Sequence, residues 1–153
     1  MNKKIYRMGV ILTVMAVLLI GVAPVTAAEK TEFTCTETFV ATLDPGSWAF
    51  PGGNIHIRGM VSLFREEAPD PRSIGDNTVV LNANWRSDWT GPMWGTWRLE
   101  TDEGGAWEGT WNGMMTEEGS WYNARGDGSG SYTGMKMWID MNFGDCRITI
   151  LEH

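Results

Sequence analysis

The chain has 153 residues, a formal net charge of −7, two cysteines, nineteen glycines and nine tryptophans, and 42% of it is apolar. One domain is expected at this length. The Lys/Arg surplus that neutralises nucleic-acid phosphates is missing, and the apolar and aromatic content, sufficient for a core, excludes a disordered chain.

Lys3, Lys4 and Arg7 precede an uncharged apolar run from Met8 to Val22, and Val25-Thr26-Ala27 supplies small residues for a cut after Ala27. Charged, apolar and small-residue regions in that order read as a secretory signal peptide over residues 1–27. A retained anchor is the alternative, but the run falls short of the about 20 residues a spanning helix needs. Cys35 lies too far beyond the small-residue site for a lipid-modified N-terminus. Removing residues 1–27 leaves nine Lys+Arg against nineteen Asp+Glu, a charge of −10, and keeps all nine tryptophans. Residues 28–153 thus read as one acidic exported domain, secreted or periplasmic, with no nucleic-acid partner and no membrane association after cleavage. In an oxidising compartment a lone pair such as Cys35 and Cys146 reads as a disulfide; two free thiols are the alternative.

Beyond residue 30 no stretch sustains a helical apolar period, and turn signals recur at short intervals. Strands are expected near 33–42, 54–65, 77–86, 93–101, 106–114, 119–126, 131–143 and 146–151. Between them lie Asp44-Pro45-Gly46, Pro51-Gly52-Gly53, Pro69-Asp70-Pro71, Gly104-Gly105, Glu118-Gly119, Gly126-Asp127-Gly128 and Gly144-Asp145, all read as turns. The fourth and fifth strands form the clearest hairpin. With Arg98 opposite Glu108, one face carries Trp94, Thr96, Arg98, Glu100, Glu108, Thr110 and Asn112 and reads as solvated. The other carries Gly95, Trp97, Leu99, Trp107, Gly109, Trp111 and Gly113 and reads as a buried, tightly curved wall.

Eight sequential antiparallel strands predict a closed up-and-down β-barrel, with a β-sandwich as the alternative. A Cys35–Cys146 bond would join the first and last strands and act as a closure device. In such a barrel alternate loops share an end. One end gathers Trp48, Phe50, Trp89 and Met93, read either as a ligand entrance or as a hydrophobic lid; the other gathers Glu66, Glu67, Asp70, Asp76, Asp102, Glu103 and Asp127.

Catalytic material is sparse. His56 and His153 are the only histidines, no Gly-x-Ser-x-Gly elbow occurs, and zinc sites and calcium loops lack their ligands. The methionines Met114, Met115, Met135, Met137 and Met141 raise copper(I) as a hypothesis, with core filling the favoured reading, and no metal or cofactor is expected. Glu37 is the candidate acid or base. If Cys35 faces inward with Phe33 and Phe39, so does Glu37, and burial would raise its pKa; if the disulfide lies outside, Glu37 is solvated. Arg125, sharing a face with Trp121 and Asn123, would pair with Glu37 on an inward reading.

Gly128-Ser129-Gly130-Ser131-Tyr132-Thr133-Gly134-Met135 resembles the Gly-x-Gly-x-Tyr-x-Gly-Leu pattern of small exported bacterial barrels similar to the allene oxide cyclase and dirigent group, which is calycin-like. Trp107-Glu108-Gly109-Thr110-Trp111-Asn112-Gly113 resembles their Trp-x-Gly-x-Trp-x-Gly strand. The resemblance, over residues 94–143, implies a barrel that takes apolar or phenolic ligands; no segment matches the group's catalytic residues. The leading expectation is non-catalytic binding of a small apolar or aromatic ligand through Trp48, Trp89, Trp97, Trp107, Trp111 and Arg125. The alternatives are a cyclase- or isomerase-like enzyme using Glu37, and a structural or interaction barrel with no pocket.

Overall fold

The computed structural model describes residues 28–152; the expected signal peptide over residues 1–27, and His153, lie outside the described residues. The strands in chain order are β1 (Glu29–Asp44), β2 (Ser47–Ala49), β3 (Ile55–Glu67), β4 (Gly75–Trp85), β5 (Gly91–Thr101), β6 (Ala106–Thr116), β7 (Gly119–Ser129), β8 (Lys136–Asn142) and β9 (Asp145–Glu152). Each long strand pairs antiparallel with its neighbours in sequence, and β1 pairs with both β3 and β9, so hydrogen bonds run in a closed ring through eight strands. The fold is therefore the expected closed antiparallel barrel rather than a sandwich. The ninth strand, β2, resumes the course of β1 after the Asp44-Pro45-Gly46 corner and pairs with residues 56–58 of β3, within a span expected to be loop.

Closure is covalent as well as hydrogen-bonded. Cys35 and Cys146 are register partners across β1 and β9, with Cα atoms 5.0 Å apart, and their sulfurs are bonded. The bridge spans 111 residues, and a loop of that size removes roughly 4–5 kcal/mol of denatured-chain entropy in the loop-closure model.

The β5–β6 hairpin has the expected register, with Arg98 opposite Glu108 and the two side chains paired at 2.7 Å on the outer face. Trp97, Leu99, Trp107 and Trp111 all point inward and are buried. Trp94, half-exposed on the outer face, lies 5.3 Å from the Arg58 guanidinium, a cation–π contact that gives its outward ring a partner.

Two local departures from simple alternation shape the interior. In β3 the pairing with β4 shifts between Ile57 and Met60, and Gly59 there has φ +67°, the left-handed conformation that glycine adopts without a Cβ clash. The extra residue reverses the parity of the strand. Ile55 and Ile57 point inward before the bulge; beyond it Met60, Ser62, Phe64 and Glu66 do, while Val61 and Leu63 are turned out. The second departure is in β7. Gly126-Asp127-Gly128, expected to be a turn, lies within the strand. A Cβ on Gly126 would meet the Trp97 ring at 2.6 Å, and one on Gly128 would meet the Tyr132 carbonyl at 2.1 Å. These glycines admit neighbouring groups and do not reverse the chain. The reversal comes at Gly130–Tyr132, a single 3-10 turn, so β8 starts at Lys136, later than expected.

The end holding this turn is a solid floor. Tyr132 stacks on Trp107 at 5.0 Å, its hydroxyl lies 3.0 Å from Thr101 Oγ1, and Trp107 Nε1 donates to the Arg72 carbonyl at 2.7 Å. The glycine–tyrosine motif behind the family resemblance thus folds Tyr132 back as a plug. Met137 is fully buried in the core, with Met135 and Met141 packed against it, which is the core-filling reading of the methionine series.

Candidate functional site

Above the floor the barrel holds a cavity of about 230 Å³. Its walls are apolar side chains of β3 to β8, among them Met60, Phe64, Trp85, Met93, Trp97, Trp111 and Met115. The β4–β5 loop puts Trp89 over this region, 6.0 Å from Trp85 and 6.5 Å from Trp48, so three indoles run from the exposed lip to the cavity wall. Trp89 has φ +66°. A bulky residue in the left-handed region is strained by about 1 kcal/mol or more, and such strain clusters at functional sites. Met93, expected at the lip, is instead buried in the wall.

The indole nitrogens divide into two groups. Trp111 Nε1 donates to the Val80 carbonyl at 3.1 Å, and Trp107 is satisfied in the floor. Among the described residues Trp85 Nε1, Trp97 Nε1 and Asn77 Oδ1 are buried with no partner, and all three residues line the cavity. A buried polar group without a partner costs about 1–3 kcal/mol.

The cavity's acidic group is Glu37. The disulfide points inward, and Glu37 follows it by strand alternation, as one of the two sequence readings required. Tyr122 Oη donates to Glu37 Oε2 at 2.8 Å and Asn77 Nδ2 donates to Oε1 at 3.3 Å. Burial pushes the Glu37 pKa up, against the pull of those two donors. Directly opposite in the β1–β3 register stands Glu66, 1% exposed, with Oε1 at 3.9 Å from Cys146 Sγ. Burial first, then the negative charge of Glu37, pushes Glu66 up to about 8. Two facing carboxyls titrate as a unit. Glu37, holding two donors, is the anion of the pair at neutral pH, and Glu66 keeps the proton. Desolvation and the adjacent carboxylates push the Tyr122 phenol upward too, so it remains a donor.

The structure therefore brings Glu37, Trp97 and Trp111 together around the cavity, with Trp48 and Trp89 at the lip. It does not bring the others there. Trp107 belongs to the floor, and Arg125 is exposed on the outer face beside Thr110 and Trp138, because alternation along β7 turns Tyr122 and Ala124 inward. Glu37 consequently has Tyr122 and Asn77 as partners in place of Arg125. Glu66, assigned from the sequence to an acidic end, faces inward. Asp102 and Asp127, from the same group, do remain exposed, paired with Arg65 and Lys136, and Asp70 is half-buried against Arg72. Alternation along β4 from Asn77 to Trp85 was available to identify both as inward residues; nothing local marks Glu66, since its orientation follows from the Gly59 bulge.

Among the described residues one cluster, Cys35, Glu66 and Cys146, has the compactness of a metal site. Its sulfurs are bonded to each other, leaving no thiolate to ligate. No protein-family model, curated protein or solved structure matched this chain. No helix among the described residues is long and apolar enough to cross a membrane, and the disulfide is compatible with an extracytoplasmic location.

Proposed function

We propose that this protein is exported and binds a small, largely apolar or aromatic ligand inside its barrel, without transforming it. The observation that carries the reading is the cavity itself, walled by apolar and aromatic side chains that include Trp85, Trp97 and Trp111. An engineered cavity of about 150 Å³ admits benzene, so about 230 Å³ suits a monocyclic aromatic with a short side chain or a comparable aliphatic. A barrel filled by its own side chains would have no such space. Native mass spectrometry of protein purified from its own host tests the proposal: a co-purifying small molecule displaced by Trp97→Ala is expected, and a chain that carries none and shows no tryptophan fluorescence response to small aromatics would overturn it.

A second reading, a cyclase- or isomerase-like enzyme, is favoured by one arrangement. The Glu37 carboxylate borders a largely apolar cavity with Tyr122 as a hydrogen-bonded neighbour, the components of proton transfer to and from a bound substrate. Glu37→Gln separates the two, since an acid/base enzyme loses turnover on a substrate that it still binds through its apolar body.

A further inference from the structure

Among the described residues, the deep end of the cavity holds carboxyl groups and no cation. No Lys, Arg or His is among the lining residues, and both hydrogen-bond partners of Glu37 are neutral. The titratable groups facing this point are Glu37 from β1, Glu66 from β3 and Tyr122 from β7; the β9 contribution is the non-titrating disulfide, and β4 supplies Asn77. A buried carboxylate normally finds a positive partner.

Asn77 donates its NH2 to Glu37 and adds no charge there. Trp97 and Trp111 line the same cavity, and an aromatic wall attracts a cation.

Building on the ligand-cavity proposal, we infer that the occupant bears a protonated amine, seated against the Glu37 carboxylate, on a small apolar or aromatic body. Its charge is the positive partner that the lining residues do not supply.

Three probes of one size separate the head groups: phenethylamine, 2-phenylethanol and phenylacetate, titrated at pH 7 by calorimetry and tryptophan fluorescence. The amine is expected to bind at least ten-fold more tightly than the alcohol, with phenylacetate weakest. In Glu37→Gln, checked for a native melting transition, the preference for the amine should collapse to within about two-fold while the alcohol still binds; Arg125→Gln, on the outer face, should leave all three unchanged. Equal affinity for amine and alcohol, or a preference for phenylacetate, would overturn the amine inference and leave the cavity proposal standing. If none of the three binds to the wild-type chain, both fail.

Discussion

The two ends of the barrel are built from the same residue type and do opposite things. At the floor, Trp107 is fully buried, its N–H is paired with a carbonyl, and Tyr132 stacks on it with its own hydroxyl engaged. At the mouth, Trp89 and Trp48 are exposed, and Trp85 and Trp97 beneath them hold buried N–H groups with no partner. Aromatic content alone therefore does not identify a binding site. The difference lies in what covers each ring: Tyr132 and the Arg72 carbonyl close off Trp107, whereas Trp85 and Trp97 border open space in the barrel, as does Trp111 although its N–H is paired with the Val80 carbonyl.

The comparison can be broken at several points. Trp107→Ala should cost about 3–5 kcal/mol, the range for deleting a buried indole, read as a lower midpoint in denaturant unfolding. An effect under about 1 kcal/mol would mean that the floor is not structural. Replacing both Cys35 and Cys146 with serine should cost about 2–5 kcal/mol, as the β1–β9 seam then relies on hydrogen bonds and packing alone.

The carboxyl pair lies between the two ends and predicts a pH profile. A carboxyl whose pKa rises on folding is protonated more readily in the folded chain, so its contribution is present in acid and is lost as pH climbs through about 8. Thermal unfolding should therefore show stability falling between about pH 5 and 8, and Glu66→Gln should remove that slope, gaining roughly 2–4 kcal/mol at pH 8. A wild-type stability that rises across this interval would contradict the buried Glu37–Glu66 pair.

At the mouth the expected stability changes are smallest. Trp97→Phe removes an unpartnered N–H along with some packing and should shift stability by about 1 kcal/mol or less, while altering the fluorescence response to ligand. Trp89→Gly relieves a left-handed backbone and loses two ring contacts, and the opposed terms should leave stability within about 1 kcal/mol of wild type but weaken ligand capture. A large loss of stability in either variant would make the mouth a second plug and erase the contrast.

Much of this architecture was legible in the chain. Alternation across residues 94–113 placed Trp97 and Trp111 inside and the Arg98–Glu108 pair outside, because a two-residue period leaves no other arrangement once the Thr101–Gly105 turn is recognised. The lone cysteine pair, read as a disulfide because the chain reads as exported, led to closure because it lies in the first and last strands. Glu37 was legible only as one of two faces, and inward packing of the disulfide decided between them.

What remained hidden depends on groups distant in sequence. Simple alternation from Ile55 through Ile57 puts Val61, Leu63 and Arg65 inside, and the inserted residue at Gly59 exchanges them for Ser62, Phe64 and Glu66. Arg125 points outward because β7 presents Tyr122 and Ala124 to the cavity, and the glycines of residues 126–128 give way to Trp97 and Tyr132, contacts with no local signature. Composition and two-residue periodicity determined the strands, the hairpin wall and the meeting of the chain's ends, since these follow from local geometry. Only the tertiary structure decided that two carboxyls face each other beside a cavity, because a single bulge sets the parity of everything that follows it.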